Sequence, residues 1–207
     1  MESYLTMKSN IDEEGWISEF KNPLSQLRFN NDKLQFVENI ETEGETRYVN
    51  ATIDQSTLSA SFRLNYTINP DLTIQYYAQP FISRGRYSDF KYVTNPIADS
   101  FNDRFELYND DQISFDSNAG LYSVDEDSNG VTDYQIGNPN FSFVQFRSNL
   151  VVRWEYIPGS ELFLVWSQGV TGLVDPMIDL FDGLEKGIAD QQLENIFLIK
   201  ATYRFVL

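Results

Sequence analysis

The last stretch of the chain, NIFLIKATYRFVL (residues 195–207), decides how the rest is read. Asn195, Phe197, Ile199, Ala201, Tyr203, Phe205 and Leu207 fall on one side of an extended backbone. Ile196, Leu198, Lys200, Thr202, Arg204 and Val206 fall on the other. Successive side chains of a strand point to opposite faces, so alternation over a dozen residues predicts a β-strand with one strongly apolar face. Such a strand is about twice the usual five or six residues.

Working back from the C-terminus, five more segments alternate in the same way. STLSASFRLNYTI (56–68) sets Leu58, Ala60, Phe62, Leu64, Tyr66 and Ile68 against polar neighbours. DLTIQYYAQPF (71–81) places Leu72, Ile74, Tyr76 and Ala78 together, and FSFVQFRSNLVVRWEY (141–156) does so for Val144, Phe146, Leu150, Val152, Trp154 and Tyr156. ELFLVW (161–166) and RYVNATID (47–54) complete the set. The connections alternate in length. Asn69-Pro70-Asp71 and Pro158-Gly159-Ser160 are tight turns with favoured turn residues, whereas 82–140 and 167–194 are long. A short link at 54–56 would join the first two segments on the long-loop side. Short turns at one end and long loops at the other are the pattern of an outer-membrane barrel. Tyr66, Trp154, Tyr156, Tyr203 and Phe205 share the apolar parity and lie near the short-turn ends, where an aromatic membrane girdle belongs. Arg63, Arg147, Arg153, Lys200 and Arg204 have the opposite parity and would face a lumen. They outnumber Glu155 and Glu161 on that face, so their expected partners are acids on further strands.

Composition narrows the function. The chain has 207 residues, a net charge of −16, and neither cysteine nor histidine. Thiol and histidine catalysis and the common zinc sites are thereby excluded. The acidic balance argues against nucleic acid, whose phosphates need clustered Lys and Arg. No apolar run is long enough for a membrane helix, and MESYLTMKSN lacks the apolar core of an export signal. The soluble alternative is an acidic β-sandwich whose apolar faces meet in a core.

Three blocks carry a resemblance: DLTIQYYAQPFISRGRYSDFK, NPNFSFVQFRSNLVVRWEYIPGSELFLVWSQG and NIFLIKATYRFVL. They resemble, in order, the C-terminal barrel of a large Gram-negative outer-membrane family, a barrel classed as a domain of unknown function. In that family the barrel follows a sandwich similar to carbohydrate-binding module family 9. SNIDEEGWISEFKNPLSQLRF (9–29) resembles the end of that sandwich and departs from it at Asn22. The resemblance implies a shortened or fragmentary member: a sandwich remnant over 1–31, a linker over 32–45 and barrel strands over 46–207. It also implies an outer-membrane location. Leu207 stands where the family usually ends on an aromatic.

The strongest chemical motif is VDEDSNGVTD (124–133). Asp125, Asp127, Asn129 and Asp133, with the Val131 carbonyl, have the spacing of a calcium loop, and Gly130 permits its sharp turn. The glutamate of an EF-hand's twelfth position is replaced by Ile136. DPMIDLFDGL (175–184) is read as a packed loop rather than a helix. No nucleophile-plus-base constellation appears, so catalysis is not expected. The expected fold is all-β, an antiparallel up-and-down barrel portion of about six strands with two long outer loops. Its expected partners are outer-membrane lipid, calcium, and copies of itself at open sheet edges. The alternative is a soluble or peripheral carbohydrate-binding sheet protein.

Overall fold

The computed structural model describes residues 33–42 and 44–205 with their side chains, and the backbone alone of 5–8, 16–17, 19–22 and 28–32. Most of the expected sandwich remnant, the side chains of Trp16 and Asn22, and Leu207 lie outside the described residues. The fold is all-β and antiparallel, as the alternation predicts. Strands β1 (Leu5–Lys8), β2 (Trp16–Ile17) and β3 (Glu19–Asn22) are short. The long ones are β4 (Arg28–Thr42), β5 (Glu45–Ser59), β7 (Leu72–Val93), β12 (Phe141–Ile157) and β13 (Ser160–Leu173). With β14 (Glu194–Ala201) they form a sheet in the order β14–β13–β12–β7–β5–β4. Strand β6 (Phe62–Asn69) pairs with β7 and with β2. Among the described residues β14 pairs with β13 alone, and the sheet does not close.

The expected link at 54–56 does not exist. Strands β5 and β6 follow one another along the same edge of β7. Thr57 and Ser83 share a hydroxyl hydrogen bond of 2.9 Å, the Ala60 N–H donates to the Pro80 carbonyl, and Phe62 pairs with Ala78. Burial changes face instead: odd-numbered Val49, Ala51 and Ile53 are buried, then even-numbered Ser56. The strand keeps its phase, since Ile53 lies by Gly85 and Thr57 by Ser83 on one face, while Leu58 joins the Ile82 cluster on the other. A reversal lies instead between β4 and β5, where Gly44 takes φ +83°. The stretch 32–45, expected to be a linker, therefore forms most of β4 and the turn into β5.

Two compact units divide the chain. The first comprises Met1–Arg28, Thr57–Arg84 and Ser142–Leu207. Its tight turns carry the residues they require: Pro158 presets its own φ, and Gly159 takes φ +80°. The Glu155 N–H donates to the Asp71 carbonyl, which brings both tight turns to one end of the sheet. The segment expected to be a packed loop contains a helix, α1 (Leu180–Ala189). Asp179 caps it by accepting from the Phe181 N–H at 2.8 Å, an N-cap the sequence reading passed over. Helix α1 buries Leu180 against Ile82 and Val144, flanked by Leu58, Val174, Leu184 and Ile188.

The second unit comprises Phe29–Ser56 and Gly85–Phe141. What reads as a long outer loop is a folded layer. A three-stranded sheet, β11 (Tyr134–Gly137), β10 (Leu121–Val124) and β9 (Ile113–Asp116), is joined by the short β8 (Phe105–Leu107), which pairs with β7. Val124, Tyr134 and Ile136 pack with Val49, Ala51, Phe90, Tyr92 and Tyr108 in a core of its own.

Candidate membrane face and metal loop

Register aligns the apolar positions of neighbouring strands into rows. Across β12, β13 and β14 these are Leu150–Trp166–Phe197, Val152–Leu164–Ile199 and Trp154–Leu162–Ala201. On β6 and β7 the pairs are Phe62–Ala78, Leu64–Tyr76 and Tyr66–Ile74. Apart from the buried Ala78, these side chains are not core: Phe197 is 71% and Ile199 72% exposed. Trp154 and Tyr156 meet edge to face at 6.0 Å, and Tyr203 and Phe205 at 4.9 Å. With Tyr66 they occupy the end of the sheet that carries the tight turns. The Tyr156 hydroxyl donates to the Thr202 carbonyl.

A second aromatic rim went unread in the sequence. Trp166 stacks on Phe197 at 5.7 Å and 12°, and its indole N–H donates to Asn195 Oδ1 at 2.9 Å. That oxygen also accepts from Gln168, whose own Oε1 accepts from the Ser148 hydroxyl. Ser148, Gln168 and Asn195 thus form a hydrogen-bonded polar row across three strands. On the far side of that row the same sheet face is covered by α1. The uncovered band runs from Leu150 to Tyr156 on β12, about 20 Å at the usual rise per residue. Beyond the end of β14 at Ala201 the band continues into Tyr203 and Phe205. The signal for this rim was present: a Trp whose neighbours switch from apolar to amide residues within one turn of the alternation.

The opposite face holds the five expected lumen cations, with varied surroundings. Arg153 pairs with Glu161 and with Glu155 inside its own hairpin, so acids on further strands are not what it uses here. Arg63 lies over the Tyr77 ring at 5.4 Å and Lys200 over Phe163 at 5.7 Å. Arg147 lies over Gly169 and Arg204 beside Gly159, where a Cβ would collide with each guanidinium chain. Arg63, Asn65, Gln75, Tyr77 and Asn149 line a cleft of about 330 Å³. Near β14 this face turns apolar, with the row Val151–Val165–Leu198.

In the second unit, the loop between β10 and β11 gathers the carboxylates of Asp125, Asp127 and Asp133 within 4.8 Å of one another. Backbone donors hold them. The Asn129 N–H reaches Asp125 and Asp127, the Gly130 N–H reaches Asp125, and the Glu126 N–H reaches Asp133 at 2.7 Å. Ser128 at φ +57° and Gly130 at φ +88° make the turns that aim these donors inward. Asn129 folds back: its side-chain amide donates to Asp127, and its Oδ1 accepts from the Val131 N–H. Glu126, unread in the sequence, ties the loop to the unit's core. Its carboxylate accepts from Arg47 at 3.1 and 3.2 Å and from the Tyr134 hydroxyl. Tyr134 in turn shares a 2.7 Å hydrogen bond with the Tyr108 hydroxyl. Both phenols are held well above their ordinary pKa, chiefly by burial. Asp127, Asp133, Glu126, Arg47, Glu45 and Tyr92 border a cleft of about 420 Å³. Three like charges this close repel one another, and a hard cation with oxygen ligands is the natural neutraliser.

Compared with known protein families, curated proteins and solved structures, the chain matches none.

Proposed function

We propose that this chain forms part of the wall of an outer-membrane β-barrel, with a long connection ordered by calcium. The carrying observation is the set of exposed apolar rows in register, edged by Trp154–Tyr156 at one rim and Trp166–Asn195 at the other. Soluble monomers rarely expose continuous apolar patches of more than a few hundred Å². Full burial of a large apolar side chain contributes about 1.5–3 kcal/mol. Ten such residues line the rows on β12 to β14 and the chain that follows. Even half-buried they rival the whole net stability of a domain, about 5–15 kcal/mol. Lipid supplies that burial without a second protein layer. The band's length along β12, about 20 Å, is of the order of the apolar belt of such barrels, about 25 Å.

In this reading Arg63, Arg147, Arg153, Lys200 and Arg204 face the lumen. Asp125, Asp127 and Asp133 would hold calcium, whose contribution is to relieve their mutual repulsion and fix the β10–β11 loop. No step of chemistry is assigned. A second reading, a peripheral sheet that binds carbohydrate, is favoured only by the cleft of Arg63, Asn65, Gln75, Tyr77 and Asn149, whose amides and aromatic ring suit a hydroxyl-rich ligand.

Fractionation separates the two readings. The chain, carrying an added export signal in a Gram-negative host, is expected in outer membranes after carbonate and urea washing and to require detergent for release. Recovery as soluble monomer would sink the membrane reading.

A further inference from the structure

Among the described residues, strand β14 is uncovered in every direction but one. All eight of its residues are exposed, Ile196 on one face at 65% and Ile199 on the other at 72%. Its hydrogen bonds have a readable phase. Thr202 and Glu161 exchange both backbone bonds, so the residues that point their N–H and C=O groups at β13 are 202, 200, 198 and 196. Phe197, Ile199 and Ala201 point theirs at the free edge. In hydrocarbon an unpaired edge does not persist. Six strands are also fewer than the roughly eight a barrel needs to close.

Strand direction selects the partner. Each step of the sheet is antiparallel: β13 with β14, β12 with β13, and β6 with β7. Between β7 and β12, Asp71 lies by Glu155 while Gly85 lies by Phe141, which is again antiparallel. In the first unit β2 is in turn antiparallel to β6. The six strands β14–β13–β12–β7–β6–β2 therefore leave edges that run in opposite senses, β14 at one end and β2 at the other. Copies inserted in one membrane share one orientation. A two-fold β14–β14 contact would invert one of them, and a contact without inversion would put like strands parallel. The opposite edge of another copy meets neither objection, because it continues the antiparallel ladder.

Resting on the membrane reading above, we infer that the free edge of β14 is paired by the opposite edge of a second copy of this chain, head to tail. Heterologous contacts of this kind close into rings when the rotation permits. The ring's axis would run along the membrane normal.

The test weighs the carbonate-resistant fraction of the full chain by native mass spectrometry in detergent, beside Ile199→Pro. Proline at 199 removes a free-edge donor and none of the bonds to β13. The expected result is a wild-type mass that is a whole multiple, two or more, of 24.0 kDa, falling to a single chain in Ile199→Pro. A membrane-retained wild-type monomer overturns the ring while sparing the membrane reading. An oligomer that Ile199→Pro leaves intact overturns the edge assignment. Absence of any carbonate-resistant protein removes the membrane reading first and the ring with it. The wild-type mass decides even if the variant fails to accumulate.

Discussion

At the scale of single residues, Glu126 joins two systems that the sequence presents separately. Its backbone N–H braces Asp133, and its carboxylate holds Arg47 and Tyr134. Ordering of the metal loop should therefore be felt in the core of the second unit. Calcium at a hundredfold excess over its dissociation constant is expected to stabilise that unit by about 2.7 kcal/mol. Asp127→Asn removes a converging charge and should abolish most of this gain, whereas Asp110→Asn, an acid outside the cluster, should not. Thermal unfolding with and without calcium measures both. The spacing of the three aspartates made this loop legible. Glu126 was invisible because its role depends on Arg47, 79 positions away in sequence.

Elements show where period-two reading succeeds and fails. Rows on β12, β13 and β14 followed from alternation because the register there is unbroken from Phe143–Leu173 to Glu155–Glu161. The run over 45–69 was cut in two because its apolar residues move from the odd face at Val49–Ile53 to the even face from Leu58 on, and a turn and a change of buried face interrupt a pattern alike. Helix α1 was missed for another reason: its inward face is made partly of Gly183 and Gly187, which carry no apolar signal. Their smallness is what the packing needs. A Cβ on Gly187 would stand 2.7 Å from Val144 Cγ2 and 2.8 Å from Val144 Cβ, inside a fully buried contact. Gly187→Ala should gain about 1 kcal/mol in helix propensity but lose about 1–3 kcal/mol to overpacking. We expect the loss to win. Hydrogen exchange should then show the α1 amides less protected while those of β12 keep their rates.

For the whole molecule, the all-β antiparallel make-up was legible in outline, but one of the long connections is a folded unit with its own core. Its buried positions, Val124, Tyr134 and Ile136, sit on strands of four residues, too short for alternation to speak. Two units of such different make-up should fail under different stresses. Tyr108 and Tyr134 are neutral in the fold, with pKa values raised above the unfolded value of about 10. The stability that follows from keeping them neutral is complete below that pH and drains away as pH climbs through and beyond it. The second unit should therefore unfold in alkali. Tyrosine absorbance near 295 nm should show these two phenols ionising together with loss of structure. If they titrate as free tyrosines before any unfolding, the buried pair is wrong.

The change of buried face between Ile53 and Ser56 has a consequence for how this chain tolerates change. Residues 54 and 55 read as unremarkable, one of them an exposed aspartate. Yet they carry one continuous strand from a stretch that buries odd-numbered residues, Val49 to Ile53, to one that packs even-numbered Ser56 and Leu58 inward on the other face. Deleting a single residue there would work like a reading-frame error written in geometry. Every side chain on one flank would exchange inside for outside, though no buried residue had been altered. Lineages carrying this segment should accept many letters at 54 and 55 but hold their number fixed.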